Sequence, residues 1–503
     1  MKLKGEDLRV ILGIKLKQLR QQRRFSLKEL AEKTNLSLSY LSEIEKGRKY
    51  PKPEKIIELA KALDISFDEL VSIKIDEERH PLTGILHSDF IQEFPFDFFG
   101  IESREVVDLF TRSPQETGAL IRTLLEIARA YDMRVEQFLF AALRSYQKMH
   151  RNYFEDLENA AATFLAEHQW KSEPPISREQ FEPLLRNEYG YLVDETTLDQ
   201  YAELKSFRSI WINGRPPKLL LNGKLLPSQK AFLLGREIGF CYLKLKERPI
   251  TSSWLNVESF EHILNNYKAS YFAGALFINR DLLKKDLGHF FQRERWDGDG
   301  FLSLMRRYEA TPEMFLYRLS QLIPKLFDLQ EMFYLRFNNE IGSDRFFLTK
   351  ELNLSRMTVP HGIGLNEHYC RRWLAITLLK ELAERQESGE RHLTLVAAQR
   401  SRFVESDAEF FAITLARPLA LTEGTNSSIT LGFLINDAFK KVVRFWDDPA
   451  IPRKDVNETC ERCGLSDAQC HERVAPAVIY SKQREQKTRG KVLQELLQEM
   501  KRG

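Results

Sequence analysis

Residues 26–63 of this 503-residue chain read SLKELAEKTNLSLSYLSEIEKGRKYPKPEKIIELAKAL, and that run admits few backbone solutions. Ser26 followed by Glu29 is a capping-box start, so a helix opens there and buries Leu27, Leu30 and Ala31. It stops at Asn35-Leu36; Ser37 caps the next helix, which Gly47 closes. Upstream, Ile11, Leu16 and Leu19 recur at helical spacing in a helix that ends near Arg23. Downstream, KPEKIIELAKAL and SFDELVSI supply two more amphipathic helices. The expectation is a five-helix head over residues 1–75, whose second and third helices form a helix-turn-helix unit.

Charge supports that reading. The whole chain carries only +3, but residues 1–75 hold 17 Lys/Arg against 11 Asp/Glu, a basic head on a slightly acidic body. No run of about 18 apolar residues occurs, so no membrane span is expected. The N-terminus has no apolar signal region, and five cysteines in a chain this long do not make a disulfide framework. A cytoplasmic protein is expected.

The 26–63 run resembles the phage-repressor (Cro/cI, XRE-type) family, with Ala31, Ser37, Ile44-Glu45, Gly47 and Pro51 at the motif positions. The resemblance implies sequence-specific binding to a double-stranded DNA operator, palindromic and read by a homodimer. With Leu41 and Ile44 facing the core, the expected base-reading face is Leu38, Ser39, Ser42 and Glu43, with Tyr40 alongside and Ser37 at the helix start. Lys28, Lys46, Arg48 and Lys49 are the phosphate candidates.

Residues 76–174 read as a helical connecting region. Beyond it, RSIWING and KLLLNGKL suggest strands, and a helix begins near Pro227. This stretch resembles an ImmA/IrrE-like zinc-peptidase domain, whose helix carries His-Glu-x-x-His. Here the five positions are Arg236, Glu237, Ile238, Gly239 and Phe240. Neither Arg nor Phe ligates zinc, so no enzyme is expected, and Glu237 is expected to pair with Arg236 or another nearby arginine. NNYKASYFAGALFINRDLL and RYEATPEMFLYRLSQL further resemble the short-chain fatty-acyl regulators, with Asn279 where that family often has Pro. The resemblance implies an acyl-CoA-like effector and names no contact residues; Phe272, Leu276 and Phe277 fit plain core packing.

ETCERCGLSDAQCHERVAP places Cys460, Cys463 and Cys470 in a C-x2-C-x6-C run. Cys370, in NEHYCRRW, is the candidate fourth ligand, with His368 and His471 as competitors. Four thiolates suit zinc or an iron–sulfur cluster equally. The same acyl-regulator resemblance, which extends to the Cys before a Trp and the tail Arg473-Val474-Ala475-Pro476, favours [4Fe–4S] and a redox input.

The fold class expected is mainly α with a smaller α+β middle domain. The expected order is head (1–75), helical connection (76–174), degenerate peptidase-like domain (175–345), cysteine domain (346–480) and charged tail (481–503). Two other functions share the head: a stress regulator fused to a metalloprotease-like domain, and a phage- or antitoxin-type repressor.

Overall fold

The computed structural model describes residues 5–71, 135–170, 176–251, 259–355, 367–390, 393–404 and 408–502, with a few single positions between them. The chain divides into two compact units, 1–146 with 258–260, and 147–257 with 261–503.

In the first unit, α1 (Gly5–Gln22), α2 (Leu27–Thr34), α3 (Leu38–Glu45), α4 (Pro53–Leu63) and α5 (Phe67–Val71) form the head. Leu12, Leu16, Leu30, Leu41, Ile44, Ile56, Leu59, Leu63 and Leu70 close its core. Helices α2 and α4 end where Asn35 (φ 49°) and Asp64 (φ 55°) turn left-handed, a conformation these short polar residues tolerate. The expected caps form: Ser26 and Glu29 bond reciprocally at 3.1 and 2.6 Å, and Ser37 accepts from the Tyr40 amide at 3.1 Å. The head's expected end at 75 lies outside the described residues, as does most of the expected connecting region.

Helix α6 (Val135–Met149) spans the division between the units. The second unit then continues with α7 (Glu155–Glu167) and α8 (Arg178–Asn187). A small sheet follows, β1 (Leu192–Asp194), β2 (Ser209–Ile212) and β3 (Lys218–Leu221), with β3 central. Helices α9 (Pro227–Tyr242), α10 (Phe260–Phe277), α11 (Arg280–Phe291), α12 (Gly298–Arg307) and α13 (Pro312–Leu326) come next. Asn279 opens α11, its side chain accepting from the Asp281 and Leu282 amides, which is what a residue other than Pro achieves there.

A six-stranded sheet occupies the C-terminal half: β4 (Met332–Glu340), β5 (Phe346–Asn353), β6 (Leu395–Phe403), β7 (Glu409–Pro418), β8 (Thr425–Leu434) and β9 (Arg453–Val456), ordered β5-β4-β8-β7-β6-β9. All pairs are antiparallel except β6–β9. One face packs Tyr334, Ile413 and Leu431 into a core shared with Phe315, Leu319 and Leu322 of α13. The other packs Phe333, Phe337 and Phe410 against Trp373, Ile376 and Leu379, the last two on α14 (Leu374–Glu387). Short α15 (Asp437–Val442) and the long α16 (Val478–Arg502) complete the chain.

The described residues are therefore mixed α/β with two sheets, which corrects the mainly α expectation. Strands β7 and β8 are buried on both faces, and β8 buries Asn426, Ser427, Ser428 and Thr430 as well as Ile429, Leu431 and Phe433, so polarity along it does not report burial. The domain boundary expected at 345/346 falls inside the β4–β5 hairpin, and one buried core runs from Ala161 to Ile451.

Candidate functional site

The candidate DNA-reading residues lie along the outer side of the helix-turn-helix. Lys28, Ser37, Leu38, Ser39, Lys46, Arg48 and Lys49 are exposed, while Tyr40, Ser42 and Glu43 are half-buried. Leu41 and Ile44 turn inward, both fully buried. This division follows from the 3.6-residue period once α3 is docked by its apolar side. Leu38 is 47% exposed.

Two pairs within the set are tied to each other. Arg48 Nη1 donates to Glu43 Oε1 at 3.0 Å, and Lys49 Nζ lies 5.3 Å from the Tyr40 ring centroid. A base contact by Glu43 therefore requires release of Arg48, or the two act as one unit. The Ser37 hydroxyl accepts from the Tyr40 amide, which leaves its proton for an outside acceptor.

Sequence reasoning missed what holds α3 in place. Arg20 on α1 grips Glu45 with Nε–Oε1 at 2.7 Å and Nη2–Oε2 at 2.9 Å, and also donates to the Phe25 carbonyl at 2.8 Å. Gly13 lies where α1 passes the end of α3; a Cβ there would run into the Ile44 carbonyl oxygen and stand 3.0 Å from that of Glu45. Glu45, an acidic residue directly after the core-facing Ile44, was the available signal.

In the second unit the Arg236–Phe240 stretch lies on α9 with Glu237 fully buried. Its carboxylate accepts from Arg248 Nη2 at 2.5 Å and lies 3.7 Å from Arg236 Nη2, so Arg248 is the closer of the two arginine partners. The Arg248 guanidinium is sandwiched between Trp211 and Phe240, at 4.2 and 4.0 Å from their ring centroids. Burial lowers the Arg236 guanidinium pKa to about 10. Cys241 is half-buried against the core, its thiol 3.7 Å from the Tyr191 hydroxyl.

The four cysteines come from two distant segments joined by one bridge between Tyr369 and Thr459. The Cys370 amide donates to the Glu458 carbonyl at 3.1 Å and the Cys460 amide to the His368 carbonyl at 2.9 Å. The Trp373 indole anchors the pairing by donating to the Asn457 carbonyl at 2.7 Å. Cys370, Cys460, Cys463 and Cys470 are all buried. Burial pushes the Cys370 thiol up to about 12, with Cys460 and Cys463 adding to the shift. Burial also raises Cys463 and Cys470. His368 is engaged by Glu461 at 2.7 Å, and His471 is exposed. Gly464 is needed for close approach, since a Cβ would meet the Tyr480 ring at 2.7 Å. Among the described residues, no group of three or more His, Cys, Asp or Glu side chains is arranged to hold a metal ion. No described helix is long and apolar enough to cross a membrane.

Two short capped helices joined by a tight turn, the second presenting a polar outer face, define a helix-turn-helix DNA-binding head. The helix-turn-helix family matches residues 16–70. The uncharacterized HTH-type transcriptional regulator y4dJ of Sinorhizobium fredii (strain NBRC 101917 / NGR234) is 35% identical over 66 residues, 13% of this chain and 86% of that protein. The HTH-type transcriptional regulator SutR of Escherichia coli (strain K12) is 39% identical over 67 residues, again 13% of this chain but 38% of that protein, so the chain spans well under half of that relative. A Mycobacterium tuberculosis transcriptional regulator of known structure is similar over 67% of this chain and 93% of its own, with a TM-score of 0.47 and 17% identity. The chain belongs to the HTH-type, DNA-binding transcriptional regulators.

Proposed function

We propose that this regulator reads a palindromic double-stranded operator as a homodimer, through Leu38, Ser39, Ser42 and Glu43 on α3, with Ser37 and Tyr40 at their side. Lys28, Lys46, Arg48 and Lys49 hold the phosphates. The observation that carries this reading is the outer face of α3, where these side chains stand clear of a core closed by Leu41 and Ile44. The test is operator selection from a random duplex library, followed by fluorescence anisotropy of full-length variants. Ser42→Ala and Leu38→Ala relax the preference at individual base pairs by about 1–3 kcal/mol. Lys28→Ala and Lys46→Ala weaken all sequences alike and reduce the salt slope by about one each. Wild-type preference in both Ser42→Ala and Leu38→Ala would remove α3 as the reader.

The second unit is the regulatory part in this reading, responding to an acyl-CoA-like metabolite and not catalysing a reaction. Support comes from residue identity: Arg236 and Phe240 stand at the two histidine positions, and Glu237 is sealed by Arg248.

Cys370, Cys460, Cys463 and Cys470 are the proposed ligands of a [4Fe–4S] cluster or zinc, the cluster favoured. The donor chemistry fits: all four cysteines are buried, Cys370 and Cys460 flank one backbone bridge, and burial raises the Cys370, Cys463 and Cys470 thiols, so a bound cation would displace their protons. A bound cluster supplies one-electron redox chemistry; zinc supplies a fixed clip. Anaerobic purification with iron, sulfide and zinc analysis decides. About four iron per chain supports the cluster, one zinc the clip, and neither in a folded sample ends the ligand reading.

A further inference from the structure

One end of the α13-facing side of the large sheet is polar, and its charges do not balance. Glu313, in the first turn of α13, is surrounded by Arg208, Arg336 on β4, Lys350 on β5 and Arg417 at the end of β7. Arg336 Nη1 donates to Glu313 Oε1 at 3.1 Å, and Arg208 Nη2 stands 3.7 Å from Glu313 Oε2. Lys350 Nζ lies 3.5 Å from the Tyr317 ring centroid and 5.7 Å from that of Tyr334. No described hydrogen bond or ion pair engages Arg417 or the Lys350 ammonium.

The group is a recess that still reaches solvent: the side chains of Glu313, Arg336 and Arg208 are 24%, 13% and 40% exposed. Two polar atoms within it lack partners. The hydroxyl of Tyr334, a residue with no exposed surface, has none, and neither has the amide oxygen of Asn338, one rung along β4 from Arg336. Buried polar atoms without partners are rare in folded proteins, and half-buried like charges repel. The electrostatics agree: burial, with Arg336 and Arg208 adding against the pull of Glu313, lowers Lys350 to about 8.

We propose that this recess binds the carboxylate or phosphate group of a small molecule, held by Arg417, Lys350 and Arg336 with the Tyr334 hydroxyl as a further donor. The anion supplies the counter-charge that Glu313 alone does not, and charge-assisted bonds in such a setting are the strong ones. The proposal goes beyond the effector reading, because the site holds an anionic group whether or not a thioester is attached.

Isothermal titration of the full-length chain with inorganic phosphate, and separately with acetate, at constant chloride tests it. At least one probe binds one site saturably; phosphate alone assigns a phosphoryl group and acetate alone a carboxylate. Arg417→Gln and Lys350→Gln each weaken that binding about tenfold, Lys285→Gln on α11 leaves it unchanged, and Glu313→Gln tightens it by removing the internal competitor. A purely structural ion network predicts a lower unfolding temperature in Glu313→Gln with no gain in binding. Absence of saturable binding by either probe, or wild-type affinity in both Arg417→Gln and Lys350→Gln, overturns the proposal. The readout uses no DNA, so failure here is separate from failure of the operator reading.

Discussion

Single residues decide whether the reading helix is presented at all. Replacing glycine by alanine within a helix ordinarily gains about 1 kcal/mol. At Gly13 the sign reverses, because the obstacle is the α3 backbone and cannot rotate away. Gly13→Ala therefore lowers the unfolding temperature of the head and weakens operator binding, measured by thermal melts and anisotropy; a stabilised variant would show that α1 and α3 do not meet this closely. Arg248 is the corresponding residue in the second unit. Arg248→Met strands the fully buried Glu237 carboxylate and costs about 3–5 kcal/mol, whereas the double change with Glu237→Leu recovers most of it. Denaturant unfolding of the three proteins gives the coupling directly, and additive losses would contradict it.

At the scale of elements, the ties that hold α7, α10 and α13 together are polar as well as apolar. Arg318 on α13 meets Glu158 on α7 through both oxygens, at 2.6 and 2.8 Å, and the Tyr271 hydroxyl on α10 donates to the same carboxylate at 2.7 Å. The Arg336–Glu313 bond similarly joins β4 to α13. Although burial acts to raise the Glu313 carboxyl, Arg336, Arg208, Lys350 and Arg417 together outweigh it and hold it down to about 2. Its folded pKa lies below the ordinary 4.5, so its stabilising contribution is complete above that value and is lost as pH falls from about 4.5 towards 2. The stability difference between wild type and Glu313→Gln, followed by denaturant unfolding from pH 6 down to the acid limit, shrinks over that window. A difference independent of pH would mean that Glu313 is not ionised in the fold.

For the whole molecule, the prediction concerns symmetry. A single head covers one half-site, and a two-fold dimer sets two half-sites about 10–10.5 base pairs, or a multiple, apart. Inserting about five base pairs between half-sites of the selected operator places them on opposite faces of the duplex and abolishes tight binding by the full-length protein, read by anisotropy alongside sedimentation of the complex. Unchanged affinity would indicate a monomer on one half-site. Nothing in the described surface identifies the dimer contact. Among the described residues, none covers Val492, Leu493, Leu496, Leu497 and Met500, which helix α16 exposes along its last turns.

The head was readable from sequence because its determinants are local. A serine three residues before a glutamate, an Asn able to turn left-handed and an apolar repeat act within one or two turns of helix, so the five helices, the caps of α2 and α3 and the outer face of α3 followed from residues 1–75 alone. The Cys460, Cys463 and Cys470 spacing was local in the same sense. Tertiary structure decided the rest, through long-range pairing. The doubly buried strands of the large sheet bury polar Thr414, Ser427 and Thr430 beside apolar residues, so polarity did not mark the core, and the bridge that brings Cys370 to Cys460 depends on chain ninety residues away. Glu237 took the more distant Arg248 as its close partner over its neighbour Arg236, because stacking between Trp211 and Phe240 makes burial of that guanidinium tolerable. The cationic recess around Glu313 draws on two stretches of helix and loop and three strands, and no window of sequence contains it.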